Sequence, residues 1–210
     1  MEKDNSYISN KIHGKELEKM GTLQTTGFNA NTAKNLLLDA GAVYKNFDKT
    51  LMTGTLIGAT SGGNTFTAKP TIRNIKIDGV KSEAVKGLSV IDTWEVALAT
   101  NLLEFTKDTI TLALGSTTTT AQGTDYDSIK AKNYLVEADY LENIAYVGKL
   151  SGSTKPVIII IYNALNTSGI SINMKDADEG KIPVTFTGHL DSTALDTPPF
   201  EILFPKVVIP

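Results

Sequence analysis

Two hundred and ten residues, 41% of them hydrophobic, suffice for one large domain with a real core. Twenty Lys and Arg against 23 Asp and Glu leave a formal charge of −3, which fits neither a polybasic nucleic-acid binder nor a disordered acidic tail. Only Arg73 among the cations carries the forked guanidinium that reads base edges, so sequence-specific DNA recognition is not expected.

Cysteine is absent, which removes disulfide frameworks, thiolate metal sites, iron–sulfur clusters and Cys nucleophiles together. Two histidines, His13 and His189, leave little for a His-based centre, so no cofactor and no metal are expected. Threonine is in excess at 27 residues, with 17 Gly and 14 Asn. This is the composition of a β-protein with long polar loops.

Residues 1–34 are polar and read as an N-terminal arm, with one short helix candidate at Lys15–Met20 stopped by Gly21. They lack the basic and apolar regions of a secretory signal, and the longest apolar run, Val157–Ile161, is far too short to cross a bilayer as a helix. Folding in a cytoplasm without membrane insertion is the expectation. Residues 35–210 read as a single domain.

Its first strand is predicted from Asn35 to Phe47, with Gly41 placed to form a bulge. Between Thr50 and Thr67, 11 of 18 residues are Thr, Gly or Ser, so about 48–68 reads as an extended loop or protruding hairpin. Strands follow at Thr71–Asp78, closed by the turn pair Asp78-Gly79, and at Leu88–Ala99, where Val90, Trp94, Val96 and Leu98 share one parity and Ile91 breaks it. From Asn101 the spacing turns helical through Leu102, Leu103, Thr106, Ile110, Ala113 and Leu114, which predicts one helix of about four turns capped by Asn101 and closed by Gly115. Gly115–Ser128 reads as a second polar loop. Strands return at Asn143–Leu150, Pro156–Leu165, Gly169–Met174, Lys181–Asp191 and Phe200–Ile209. In Lys181–Asp191 the residues Ile182, Val184, Phe186 and Leu190 alternate with Thr185, Thr187, His189 and Asp191, as in a half-buried antiparallel strand. The sum is a mainly β fold, two packed and mostly antiparallel sheets as a sandwich or barrel, with one flanking α-helix.

Several motifs offer chemistry without completing it. His189, Asp191 and Ser192 lie within four positions, yet no Gly-x-Ser-x-Gly elbow accompanies them, and a surface histidine on a strand is the favoured reading. Asp176-Ala-Asp178-Glu179-Gly180 opens like a calcium loop, but glycine stands one position early and the distal bidentate Glu is missing, so a hairpin turn is favoured. Gly58–Asn64 is Gly-rich without the Lys of a phosphate loop. Asn166-Thr167-Ser168 is a glycosylation sequon that matters only on secretion, Asp125 and Asp127 read as solvated, and Trp94 reads as a core residue before a sugar platform. No catalytic, cofactor-binding or metal site is assigned, and the chain is not expected to be an enzyme.

Three stretches taken together carry a resemblance. They are Gly58-Ala-Thr-Ser-Gly-Gly-Asn-Thr-Phe66, then Pro70-Thr-Ile-Arg73-Asn-Ile-Lys-Ile-Asp78-Gly79, then Trp94-Glu-Val-Ala-Leu98 leading into Asn101-Leu-Leu-Glu104. In that order, and with Ile144-Ala-Tyr-Val-Gly148, Pro156–Asn163 and Val184–His189 behind them, the chain resembles the major tail tube proteins of tailed bacteriophages over about residues 35–205. The resemblance implies two packed β-sheets flanked by a helix, and a homo-oligomer in which six copies close a ring around a continuous inner β-barrel. Rings would stack into a tube through which viral DNA passes without sequence-specific contact. The implied partners are a tape-measure protein and tail initiator and terminator proteins, with assembly in the host bacterial cytoplasm and a final place in the virion tail. In such a tube the 48–68 segment and the N-terminal arm would order against an adjacent ring, and Asp92 or Glu95 are candidates to face the lumen. Arg73 is expected beside a subunit contact. The alternatives are a β-sandwich carbohydrate-binding or adhesin module, and an enzyme using His189 and Asp191.

Overall fold

The computed structural model describes residues 25–206 except residue 177, so the Lys15–Met20 helix and the far end of the last predicted strand lie outside the described residues. Residues 25–33, in the unit Met1–Ala33, form a turn in which Asn29 accepts from the backbone of Asn31 and Thr32 accepts from that of Asn29. The β framework belongs to the unit Lys34–Pro210.

Its elements are β1 (Leu37–Asp48), β2 (Thr53–Leu56), β3 (Thr65–Asn74), β4 (Ser89–Leu102), α1 (Lys107–Leu114), β5 (Thr117–Gln122), β6 (Tyr126–Ala131), β7 (Leu141–Leu150), β8 (Val157–Asn166), β9 (Asn173–Lys175), β10 (Asp178–Thr187) and β11 (Phe200–Leu203). Every pairing is antiparallel. Among the described residues, nine strands form one hydrogen-bonded sheet in the order β2-β1-β7-β8-β10-β4-β3, with β11 on β8 and β9 on β10, and β5-β6 is a separate small sheet; the large sheet folds into two packed sheets, β2-β1-β7-β8 and β10-β4-β3. They meet at a corner, because the far edge of β8 is divided between β11, at Ile158–Ile161, and β10, at Leu165 and Asn166. The two sheets close over Val43, Ile144, Tyr146 and Ile161 from one side and Val96, Leu98, Leu102, Ile182, Val184 and Phe186 from the other. The fold is therefore the expected mainly β sandwich with, among the described residues, one α-helix at its flank.

The alternation of Ile182, Val184 and Phe186 puts all three in the core. That strand stops at Thr187, however, so His189, Leu190 and Asp191 lie in the following loop and Leu190 is exposed. The chain turns away there because Gly188 packs against Ile161 and Pro199, with no space for a Cβ. Gly41 is a bulge as expected. Its φ is +70°, and a Cβ would come within 2.6 Å of the Val147 carbonyl. The β1–β7 register slips between Leu38 and Ala42 to match.

Further expectations need correction. The helix starts at Lys107, not near Asn101, and Thr106 caps it in a reciprocal pair with Thr109. Asn101 and Leu102 instead extend β4: Leu102 is opposite Ile182 and completes the inward series Val96, Leu98, Thr100, Leu102, so burial against β10 outweighs the local helical spacing. The polar loop at 115–128 is largely the β5–β6 hairpin, whose four consecutive threonines pair with Ser128–Ala131; β-branched Thr serves a strand as readily as a loop. The 48–68 segment is only partly a loop or hairpin: residues 53–56 form β2 along β1 with Leu51 and Met52 exposed at the turn, but Ile57 is buried, and Ser61 N and Leu103 N donate to the carbonyls of Asn101 and Ala59 respectively.

The element that overhangs is the far half of the β3–β4 hairpin. Beyond Trp94 the register shifts by one residue at Asp92, so Ile91 faces Ile72 and Val90 faces Arg73. The bulge resolves the parity break at Ile91: it returns Ile91 to the face that carries Trp94 and turns Val90 to the opposite one. Ile72, Ile75, Ile77 and Ile91 remain exposed there, past the limit of the core.

Candidate interaction surfaces

The outward face of the β10-β4-β3 sheet is built by period-2 alternation, which sends Trp94, Val96 and Leu98 inward and leaves small residues outside. Registers place Thr65 and Thr185 on either side of Ala99, and Thr67 and Thr187 on either side of Ala97. The rows therefore read Thr–Ala–Thr across three strands. The Thr187 hydroxyl continues its row to Thr167, at 2.8 Å. The next row pairs Lys69 with Glu95, opposite charges directly across the strands. This face is rich in hydroxyls and nearly free of net charge. Among the described residues β3 pairs with β4 alone, so its outer edge, ten residues long, is open.

A second surface lies on the outer face of the other sheet. Tyr44, Phe47, Ala145, Val147, Ile158, Ile160, Tyr162 and Leu203 form an apolar cluster separate from the main core. Asn46, with φ +52°, kinks β1 so that Tyr44 and Phe47 share this face in an edge-on contact, centroids 6.1 Å apart. Asn143 repairs the interrupted ladder, accepting from Phe47 N at 2.7 Å and donating to Phe47 O at 3.1 Å. Tyr44, Phe47, Val147, Ile158 and Leu203 of this cluster floor a groove of about 730 Å³ with Lys49, Lys155 and Lys206 among its lining residues. Lys49 is occupied: its Nζ lies 2.7 Å from Glu201 Oε2, which also accepts from Tyr162 Oη at 2.7 Å. The Lys49 hydrogen bond and that of Tyr162 hold the Glu201 carboxyl below its ordinary value, while burial, then Glu201, push the Tyr162 phenol up.

The sequence motifs resolve into structural roles. His189 Nδ1 lies 3.1 Å from the Asn163 carbonyl, which can only accept, so Nδ1 carries the proton; the ring stands edge-on to Tyr140. Asp191 turns to Thr193 instead, accepting from its backbone and hydroxyl at 2.8 and 2.7 Å, bonds that lower its carboxyl pKa. His189, Asp191 and Ser192 line one shallow concavity, but the histidine and the aspartate are each committed elsewhere, and no nucleophile–base pair forms among them. Asp176–Gly180 is part of the β9–β10 hairpin, and no group of three or more metal-binding side chains occurs among the described residues. Gly58–Asn64 is fastened down: Ala59 N donates to Glu104 Oε1 at 2.8 Å and Asn64 Nδ2 to Ala40 O at 2.7 Å. Asp127 is paired with Lys107 at 2.8 Å, whereas Asp125 accepts from neighbouring Thr124. Trp94 packs on Phe200 at 5.5 Å, half-buried at the border of the core. Arg73 pairs with Asp92 at 3.1 Å on the overhanging hairpin; Glu95, not Asp92, sits in the threonine-lined rows.

Asn166, noticed in the sequence only as a glycosylation sequon, is buried and structural. Its Nδ2 donates to the carbonyls of Ala113 and Gly169, and its Oδ1 accepts from Thr185 N at 3.1 Å and Ser168 Oγ at 2.9 Å. It thereby caps the C-terminal end of α1 from a different element. Sequence reasoning also missed Lys132 and Asp139, a pair 2.7 Å apart with side chains only 11% and 10% exposed. Ser116 Oγ and Val136 N complete the Asp139 shell, and the Lys132 hydrogen bond above all holds that carboxyl below its ordinary range. No helix among the described residues is long and apolar enough to cross a membrane. No protein-family model matches the chain, and no curated protein matches it.

Proposed function

We propose that this chain is a structural subunit that assembles with copies of itself into stacked, hexameric rings, forming a phage tail tube through which viral DNA passes. The observation that carries the reading is the Thr–Ala–Thr face. Affinity for nucleic acid comes mainly from cations that displace counterions from phosphates. A surface of hydroxyls and methyls whose Lys69 is set against Glu95 offers water-compatible hydrogen bonding and little hold on a polyanion. That is what a conduit for sliding DNA requires. The open edge of β3 supports the same reading, since closure against a neighbour removes an exposed strand edge. The exposed isoleucines of the β3–β4 overhang supply an apolar contact between rings in place of the 48–68 segment. A tape-measure protein and tail initiator and terminator proteins are the partners of this reading, the virion tail its location and the host cytoplasm its place of assembly.

Electron microscopy of the purified protein across a concentration series tests it. Stacked rings or hollow tubes are expected. A compact monomer at every concentration, even with initiator proteins added, would refute the reading.

A further inference from the structure

The apolar groove and the loop between β10 and β11 have complementary surfaces. The groove is floored by Tyr44, Phe47, Ile158 and Leu203, and carries Lys155 and Lys206 among its lining residues. Neither lysine has an ion-pair partner among the described residues. The loop repeats one pattern twice, Leu190-Asp191 and Leu195-Asp196. Both leucines are exposed, at 50% and 66%. The loop is nevertheless ordered: Asp191 holds Thr193, Ala194 N donates to Asp191 O at 3.0 Å, and Thr197 N to Ala194 O at 3.1 Å. Two leucines, each beside a carboxylate on a shaped loop, present what an apolar groove with two ammonium groups unpaired among the described residues would take.

Within one chain the two do not meet: neither exposed leucine is among the residues that line the groove. The loop precedes β11, which runs from Phe200 opposite Ile161 to Leu203 opposite Ile158, and the groove lies at its far end. Four extended residues hold them about 10–13 Å apart, with Pro198 and Pro199 stiffening the approach. Loop and groove are different patches, so a contact made one way, loop into groove without its reciprocal, is heterologous and propagates from copy to copy.

We infer that the Leu190–Asp196 loop of one copy docks in the groove of a second copy of this chain, Leu190 and Leu195 on its apolar floor and Asp191 and Asp196 toward Lys155 and Lys206. This inference rests on the self-assembly reading and assigns one of its contacts. Charge pairs of this kind direct partner choice and orientation, while the leucines contribute the burial.

The test is a charge exchange on the full chain, read by sedimentation at low salt with electron microscopy alongside. K155E/K206E makes the groove acidic, and D191K/D196K makes the loop basic. Each variant alone should associate at least about tenfold more weakly than wild type. Mixed together they should recover, because every contact between unlike variants again joins opposite charges. Since D191K also removes the Thr193 turn, L190S/L195S serves as a second loop variant that keeps those bonds and should weaken association alike. Rings that form equally well in all variants would overturn the docking and leave the tube reading standing. Open filaments that depend on the exchanged charges would keep the docking and overturn the closed ring. A wild-type chain monomeric at every concentration would overturn both.

Discussion

Asn166 gives the sharpest test of how the helix is held to the sandwich. Its amide nitrogen donates to Ala113 O, one of the last carbonyls of α1 without an intrahelical partner, and to Gly169 O, while its oxygen accepts from Thr185 N and from Ser168. N166A removes all of these bonds, although Thr185 N retains Ser168 Oγ at 2.9 Å. The buried Ala113 carbonyl is then orphaned, for a cost of about 2–3 kcal/mol. In a chain of this size that lowers the melting temperature by roughly 4–12 °C. N166D is nearly isosteric and keeps the acceptor side, but it aims a carboxylate at two carbonyls and at the negative end of a helix. At neutral pH it should be less stable than N166A by a further ~1–3 kcal/mol. The folded state raises the pKa of the new carboxyl, so the excess destabilisation is present above that raised value and disappears as pH falls toward the unfolded value near about 4. Protonated, the group can donate to Ala113 O. Urea unfolding of both variants from neutral to acid pH, read as their difference, isolates the effect from the rest of the protein. An N166D at least as stable as N166A at pH 7, or a pH-independent difference, would refute the reasoning.

Lys132→Met keeps the apolar stem and strips the charge from a pair whose side chains are about nine-tenths covered, so it should cost about 2–4 kcal/mol in urea unfolding. Asp139 titrates below its ordinary 3.8 in the folded state; its contribution is therefore full above that value and lost as pH falls through the folded one, and K132M should flatten that part of the acid-unfolding curve. Ile57→Ala should cost about 2–4 kcal/mol, because Ile57 is a core residue inside the segment that composition marks as a loop. A variant within about 0.5 kcal/mol of wild type would restore that segment to the surface.

How far the sequence could be read depended on whether a segment buries one face alone. Ile182, Val184 and Phe186 alternate cleanly because β10 has a core on one side and the threonine-lined face on the other, so period and burial coincide. At 101–106 the local spacing of Leu102, Leu103 and Thr106 imitates a helix, and nothing local announces that Leu102 is opposite Ile182, eighty residues away. In β5 the threonines have no apolar face to alternate with, so their strand propensity is invisible to a pattern search. The apolar groove is hard to foresee for a related reason: Val157–Tyr162 is apolar on both faces, which suits a central strand as well as one covered by the helix or by another subunit, and only the fold shows that Ile158, on its second face, lines an open groove. Asn166 and Asp139 form their bonds across 53 and 23 residues, to Ala113 and Ser116, and such distances leave no trace in a motif.

The distribution of polarity over the two sheets also constrains how copies of the chain can meet. One sheet carries an outer face of Thr, Ala and Asn that bears no large apolar group on its Thr–Ala–Thr rows, and so has little to gain by being covered. The other has aromatic and aliphatic side chains on its outer face, and burying them does release free energy. In the proposed assembly a partner would therefore approach from the groove side, from the open edge of β3 or from the isoleucine-bearing overhang, leaving the threonine-lined face to solvent. Copies joined only through those three places keep that face unobstructed whatever their number. A ring with the threonine-lined sheet turned inward has this arrangement, with apolar contacts on its outside and at its two ends.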